Sequence, residues 1–155
     1  MLTREFNACI VRPGDVTPLD ESLEVVGTFN PGAAAVGKEV VLLVRVAERP
    51  RERRKGFTGL PRWQPGEGLT IDWVSNDELH VVDPRVVEVK ATGVMRLTCI
   101  SHLLVLRSVD GRAVDSFDGV RILPNEDYET YGLEDPRITR IGGRFYFSYV
   151  AVSPS

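Results

Sequence analysis

Residues 135–138 read Asp-Pro-Arg-Ile, and two similar stretches precede them, Asn30-Pro31-Gly32-Ala33 and Asp83-Pro84-Arg85-Val86. Each has Asn or Asp, then Pro, any residue, and an apolar residue that opens a run typical of a β-strand. The three copies are 53 and 52 residues apart. A period of about 50 residues with several strands per period is typical of the blades of a β-propeller, although Asp-Pro is also a common turn dipeptide and chance spacing is the alternative.

The repeat predicts where polar groups collect. The innermost strands of a propeller start at its central channel, so Asn30, Asp83 and Asp135 are expected near that channel if they open equivalent strands. Proline at the next position fits the first residues of a strand, where no backbone donor is needed. For Asp83, a structural role in a turn is the favoured interpretation.

The rest of the sequence predicts β-strands and almost no helix. Alternating, β-branched and aromatic runs bounded by turn residues predict strands at Leu23–Thr28, Glu39–Val46, Leu69–Val74, Val86–Lys90, Arg96–Ile100, His102–Ser108, Arg121–Leu123, Ile138–Ile141 and Arg144–Val150. Gly142-Gly143 is expected to join the last two strands in a tight hairpin, and Asp110-Gly111 to turn the chain after His102–Ser108. The predicted class is all-β, built from antiparallel hairpins.

Composition excludes several classes of protein. The 155 residues are 43% hydrophobic and 26% charged, which is typical of a globular domain, and the 14 glycines and 10 prolines argue against a helical bundle. The net charge of -3 gives no overall field that favours nucleic acid or an anionic membrane. Because no apolar run resembles a signal peptide or a membrane span, we expect a cytoplasmic protein.

Two local features of the sequence are not assigned to a functional site. The basic residues between positions 49 and 55 alternate with Glu48, Pro50 and Glu52, so a solvated surface loop is favoured over a phosphate-binding patch. The two histidines, 22 residues apart, and the two cysteines, 90 residues apart, show no metal-ligand spacing. No metal site is expected.

The sequence around the third copy of the repeat, Tyr131-Gly132-Leu133-Glu134-Asp135-Pro136-Arg137-Ile138-Thr139, resembles glycoside hydrolase family 130, the inverting β-mannoside phosphorylases and related β-mannosidases. Three other stretches resemble the same family in the same order, 28–33, 42–46 and 96–103. The resemblance implies a five-bladed β-propeller with the active site in its central depression. Residues 1–155 are then expected to form a single partial propeller domain of about two to three blades, the N-terminal portion of a longer protein and inactive by itself.

The resemblance also implies the chemistry. Asp135 would be the proton donor to the glycosidic oxygen, in some members through a sugar hydroxyl, while phosphate attacks C1 from the opposite face and α-mannose 1-phosphate is released. The implied partners are a β-mannoside oligosaccharide and inorganic phosphate as co-substrate, with no other cofactor, and a homo-oligomer is left open. The alternatives are a β-mannoside hydrolase of the same family and a non-catalytic propeller that binds carbohydrate or protein.

Four residues match family positions that contact the substrate. Asn30 and Arg45 would line the sugar and phosphate end of the pocket, since amide and guanidinium groups suit hydroxyls and oxyanions. Ser101 and His102 are neighbours on a strand, so their side chains are expected to diverge, and no nucleophile elbow makes them a hydrolase pair. A polar substrate contact and a hydrogen bond at the strand edge are both open for them.

Glu134 and Arg137 flank the proposed donor. Adjacent side chains of an extended strand point to opposite faces, so at most one of Glu134 and Asp135 is expected in the pocket, with Glu134 binding sugar or supporting the strand. Arg137, two residues on, is expected to share the face of Asp135 and to favour its ionised form, which opposes a simple general acid. Either Arg137 turns towards phosphate or another strand, or Asp135 donates a proton only with substrate and phosphate bound.

Overall fold

A computed structural model describes residues 7–154. Their strands are β1 (Leu23–Val36), β2 (Glu39–Pro50), β3 (Phe57–Gln64), β4 (Gly68–Ser75), β5 (Leu79–Asp83), β6 (Val86–Val89), β7 (Val94–Leu97), β8 (Ile100–Ser108), β9 (Val120–Ile122), β10 (Gly132–Ile141) and β11 (Arg144–Val152). The only helices in the described part are three single 3₁₀ turns, Pro13–Asp15, Asn76–Glu78 and Asp127–Glu129. None of them could cross a membrane. The predicted all-β class is confirmed.

The largest sheet has the strand order β1-β2-β8-β10-β11, with β9 also paired to β8. Strands β1, β2, β8 and β9 form an antiparallel series, and β10 and β11 form an antiparallel hairpin. The hairpin meets β8 at a single parallel bridge between Gly132 and Ser101. A two-stranded sheet, β3-β4, and a three-stranded sheet, β5-β6-β7, lie between β2 and β8 in the chain. The sheets do not close, so the five-bladed propeller stays a prediction.

Apolar residues on both faces of β2 and β8 form the core. One face carries Val44, Val46, Leu104 and Leu106, and the opposite face carries Leu43, Leu103 and Leu133 of β10. Because side chains alternate along a strand, burial of both faces explains the continuous apolar run in β2. It also places each polar residue of these strands on a definite side of the sheet.

The strand predictions hold with two omissions, one merger and two strands that are longer than predicted. Because pairing continues on both sides of a register shift, β1 extends to Val36 and β10 begins at Gly132, so Asn30 and Asp135 lie within strands and do not open them. Strands β3 and β5 were not predicted, since β3 contains Gly59 and Pro61, which are uncommon in strands. The predicted strand Arg96–Ile100 covers the end of β7 and the start of β8, which are separate strands.

Both predicted turns are present, but only one of them is a tight hairpin. Ile141 pairs with Arg144 across Gly142 and Gly143, whose φ angles of 56° and 82° suit a tight hairpin. Asp110-Gly111 forms no tight hairpin, because β9 begins only at Val120.

The equal spacing of the three repeat copies does not mark three equivalent strands. The copies at Asn30 and Asp135 lie in β1 and β10, which contact each other. The copy at Asp83 lies at the turn between β5 and β6, where Asp83 Oδ1 accepts hydrogen bonds from the backbone N–H of Arg85 (2.6 Å) and Val86 (3.0 Å). The expectation of three equivalent positions is therefore wrong, and Asp83 has the structural turn role that the sequence favoured.

Candidate functional site

The two equivalent repeat copies meet side chain to side chain. The φ angle is 41° at Asn30 and 48° at Asp135. Among the described residues other than glycine, these two have positive φ angles. At these points the register of β1 shifts between Phe29 and Gly32, and that of β10 between Glu134 and Arg137. Asn30 Nδ2 donates a hydrogen bond of 2.8 Å to Asp135 Oδ1. Left-handed backbone outside glycine is strained and concentrates at functional sites, so the paired bulges identify a candidate site.

Arg45 lies beneath this pair and joins three strands. It is 8% exposed, on β2 between its register partners Phe29 of β1 and Leu103 of β8. Its Nη2 is 2.5 Å from Glu134 Oε1, and its Nη1 is 3.3 Å from Asp135 Oδ1. One buried guanidinium thus compensates two adjacent carboxylates, as a nearly buried charge requires.

The contacts of Arg45 correct one expectation. Glu134 and Asp135 were expected to point to opposite faces, but both side chains reach the same guanidinium. The left-handed backbone of Asp135 interrupts the strand alternation on which that expectation depended. Glu134 therefore contributes a second carboxylate to the site. It is the less exposed of the two, with 20% of its side chain exposed against 41% for Asp135.

Ser101 and Gly132 bring β10 against β8. Ser101 Oγ accepts a hydrogen bond of 3.1 Å from Arg45 Nε. Gly132 has φ of 110°, and a Cβ added to it would lie 2.2 Å from the carbonyl oxygen of Ser101. Only glycine allows this approach, which places the start of β10, and with it Glu134, next to Arg45.

Asp135 is ionised in this arrangement. The hydrogen bond from Asn30 is the largest cause that lowers the pKa of its carboxyl, followed by the charge and hydrogen bond of Arg45 and, more weakly, the charge of Arg137. Arg137 itself is exposed and donates to the backbone carbonyls of Asp135 (3.4 Å) and Pro136 (2.9 Å). Arg137 thus favours the ionised carboxylate as expected, but only through its charge, and the guanidinium that contacts the carboxylate is Arg45.

His102 lies on the opposite face from Ser101, as strand geometry predicts. It is 2% exposed, with Nδ1 3.5 Å from Glu48 Oε1 and Nε2 3.3 Å from Arg121 Nη1. Burial, helped by the charge of Arg121, lowers its pKa to about 4. The structure does not bring His102 to the site of Arg45, and it gives no support to the predicted substrate contact.

A cavity of about 480 Å³ opens beside Asn30 and Arg45. Arg49 and Arg85 also line it, and neither was predicted as a site residue. A signal for Arg49 exists in the sequence, since Arg45, Ala47 and Arg49 follow each other at every second position of a strand and share one face. Among residues 7–154, no group of three or more His, Cys, Asp or Glu side chains could hold a metal ion.

Comparison with known proteins found a similar sequence and a similar structure. A β-1,2-mannobiose phosphorylase of Listeria innocua serovar 6a is 33% identical over 149 residues, which are 93% of this chain and 42% of that protein. The chain is homologous to a glycoside phosphorylase of family 130. The structure of the β-1,2-mannobiose phosphorylase from Listeria innocua in complex with β-1,2-mannobiose superimposes with a TM-score of 0.84 at 33% identity, again over 93% of this chain and 42% of that one.

This homology confirms the family resemblance seen in the sequence. No family model matches the chain. The family 130 homologue is longer than the chain, which spans 42% of its length. The roles of Asp135 and of the other candidate residues stay predictions.

Proposed function

We propose that the chain is part of an enzyme that cleaves β-mannosidic bonds by inverting phosphorolysis, with Asp135 as the proton donor. A phosphate oxygen forms a bond to C1 of the mannosyl unit, the bond from C1 to the glycosidic oxygen breaks, and the proton of Asp135 passes to that oxygen. The products are α-mannose 1-phosphate and a sugar shortened by one unit. The observation that supports this is the Asp135 carboxylate, held by Asn30 and Arg45, two residues that line a cavity, in a homologue of a β-1,2-mannobiose phosphorylase.

The chemistry explains why one acid is enough. A hydrolase of the inverting type needs a second carboxylate as a base to activate water. Phosphate is already an anionic nucleophile, so a phosphorylase requires an acid, contacts that hold the sugar, and cationic groups that hold phosphate beside C1. Arg45 is a cation of this kind, and Glu134 keeps it in place.

Asp135 must gain a proton before it can give one away, and its surroundings without substrate favour the ionised form. The donors responsible are the Asn30 amide and the Arg45 guanidinium, the same groups that sugar hydroxyls and phosphate oxygens would engage. When ligands take these donors, and when a phosphate anion adds its negative charge nearby, the pKa of Asp135 rises. Asp135 can therefore carry and donate a proton when substrate and phosphate are bound, although its carboxyl favours the ionised form without them.

The test is a phosphorolysis assay on β-1,2-mannobiose with the protein in its natural length, with and without inorganic phosphate. We expect α-mannose 1-phosphate to form only when phosphate is present. Asp135→Asn should abolish this turnover and keep the circular dichroism spectrum. Asp118→Asn, the same chemical change at an exposed loop residue, is the matched control and should leave the rate unchanged.

The remaining outcomes separate the alternatives. Release of mannose without phosphate would identify the protein as a β-mannoside hydrolase. Sugar binding that survives Asp135→Asn, with no turnover of any β-mannoside by the wild type, would identify a non-catalytic binding module and refute the proposal. The cytoplasmic location and the homo-oligomer stay predictions.

A further inference from the structure

The cavity beside the site extends well beyond Asn30 and Arg45, the two partners of Asp135 that line it. It reaches from Asn30 and Arg45 to Arg49 and Arg85, and its volume of about 480 Å³ is within the range of roughly 300–1,000 Å³ typical of small-molecule sites. Three of its lining residues are arginines, and none is an aspartate or a glutamate. The wall of the cavity therefore carries positively charged side chains, whereas the chain as a whole has a net charge of -3.

The arginines come from two separate parts of the fold. Arg45 and Arg49 lie on one face of β2, separated by Ala47, which lines the cavity with them. Arg85 comes from the turn between β5 and β6, in the three-stranded sheet inserted between β2 and β8. The inserted sheet thus adds a third cationic side chain, Arg85, to a cavity that begins at the proposed active site.

Both outer arginines keep donors for a ligand. Arg49 Nε donates to Glu24 Oε1 at 2.7 Å, but the same oxygen also accepts from Arg53 Nη2 at 2.7 Å, so one carboxylate serves two guanidiniums. Arg85 Nη2 is 3.9 Å from Asp83 Oδ2, beyond hydrogen-bond distance, and its side chain is 71% exposed. A guanidinium carries five N–H donors, so most of those on Arg85 are available.

The other walls of the cavity suit a sugar ring. Val26, Phe29 and Pro84 supply apolar surface, and Phe29 is 41% exposed. Apolar and aromatic surface packs against the C–H faces of a pyranose, which a free phosphate ion would leave uncovered. Cys99 adds no competing negative charge, because burial raises the pKa of its thiol.

We propose that this cavity receives the leaving-group sugar of the substrate and selects a sugar that carries an anionic group, a carboxylate or a phosphate. The inference rests on the proposed function and adds to it the class of leaving group. The apolar wall holds the ring, and Arg49 and Arg85 bind the anionic group.

The experiment is calorimetric titration of the purified protein with four probes: mannose, mannose 6-phosphate, mannuronate and inorganic phosphate. At least one of the two acidic sugars should bind ten times more tightly than both mannose and inorganic phosphate, and the one that does identifies the anionic group. Arg85→Gln should weaken binding of that acidic sugar about tenfold, equivalent to about 1.4 kcal/mol, and leave mannose unchanged. Arg107→Gln removes the same charge from the exposed ion pair with Glu39 and should have no effect on either sugar.

The inference is overturned if mannose binds as tightly as both acidic sugars, if inorganic phosphate matches mannose 6-phosphate and mannuronate, or if Arg85→Gln and Arg107→Gln behave alike. These titrations require no turnover, so they fail independently of the proposed function. A protein that phosphorolyses neutral β-1,2-mannobiose but shows no preference for acidic sugars refutes this inference alone. A protein that binds acidic sugars through Arg85 but never forms α-mannose 1-phosphate refutes the proposed function alone.

Discussion

Replacing Gly132 by alanine should destabilise the protein strongly, because this residue sets the contact between β10 and β8. Its added Cβ would lie 2.2 Å from the carbonyl oxygen of Ser101 and 2.6 Å from the Ser101 nitrogen. Ser101 cannot move away easily, since its strand is paired on the other side with Ala47 of β2. The backbone at Gly132 also has φ of 110°, which residues with a Cβ rarely adopt.

Two effects determine how much the free energy of unfolding falls in Gly132→Ala. A residue with a side chain in this backbone region costs about 1–3 kcal/mol. Forcing an extra carbon into a packed site costs about another 1–3 kcal/mol, with the upper end expected where the obstacle is backbone. The sum, about 2–6 kcal/mol, is a large part of the roughly 5–15 kcal/mol that stabilises a typical domain. Movement of β10 would also carry Glu134 away from Arg45.

Equilibrium urea unfolding, followed by circular dichroism, measures this loss, and two other glycines provide matched controls. Gly37 has φ of 64° and no atom within 4 Å of an added Cβ, so Gly37→Ala isolates the backbone cost. Gly14 has neither a positive φ nor a neighbour within 4 Å, so Gly14→Ala should change stability least. The expected order of destabilisation is Gly132→Ala, then Gly37→Ala, then Gly14→Ala.

Equal losses for Gly132→Ala and Gly37→Ala would refute the reasoning. They would mean that β10 can separate from Ser101 without cost, and that the glycine contact does not fix the position of Glu134. A larger loss for Gly132→Ala that leaves the slope of unfolding against urea unchanged would support it, because that slope follows the surface exposed on unfolding.

Two further predictions concern titratable side chains. His102 has a pKa of about 4 in the folded protein, below its ordinary 6.5, so its contribution to stability is present above about pH 6.5 and is lost, by up to ~3 kcal/mol, as the pH falls towards 4. The urea midpoints of unfolding, measured between pH 7.5 and 4, should show this loss of stability. The loss should be smaller in His102→Asn and unchanged in His80→Gln, since His80 is exposed. Equal pH dependence in the wild type and both variants would contradict the prediction. The hydrogen bond from Tyr149 to Glu129 raises the pKa of the Tyr149 phenol to about 12. The ultraviolet titration of Tyr149→Phe should therefore lack the phenol that ionises near 12 in the wild type. Its free energy of unfolding should be lower by about 1 kcal/mol. The exposed Tyr128→Phe is the control, and loss of the same late-titrating phenol there would show that the assignment is wrong.

Most of the side chains that meet around Arg45 and Asp135 were named from the sequence, and their arrangement was not. Asn30, Arg45, Ser101, Glu134 and Asp135 were all candidates, and the structure joins them through the contacts of Asp135 and Arg45. The periodic spacing was misleading, because the copy at Asp83 belongs to an inserted sheet with its own short strands. Spacing along the chain carries no information about whether a segment continues a sheet or leaves it.

Local sequence by itself determined most of the strands and, outside the bulges, the sides of the sheet on which their residues lie. The alternation of β8 predicted that Ser101 and His102 diverge, and glycine pairs predicted the hairpin of β10 and β11. These properties depend on the backbone of neighbouring residues, whose geometry is the same in any protein.

Only the tertiary structure decided that Glu134 and Asp135 share Arg45, that His102 is buried with Glu48, and that Arg85 lines the cavity. Each of these depends on segments far apart in the chain. The bulge at Asp135 is a further case, because it reverses the outcome of strand alternation at a position where Asn30 and Arg45 hold the carboxylate. A strained local conformation of this kind persists when distant residues compensate its cost, and the sequence around it contains no record of those residues.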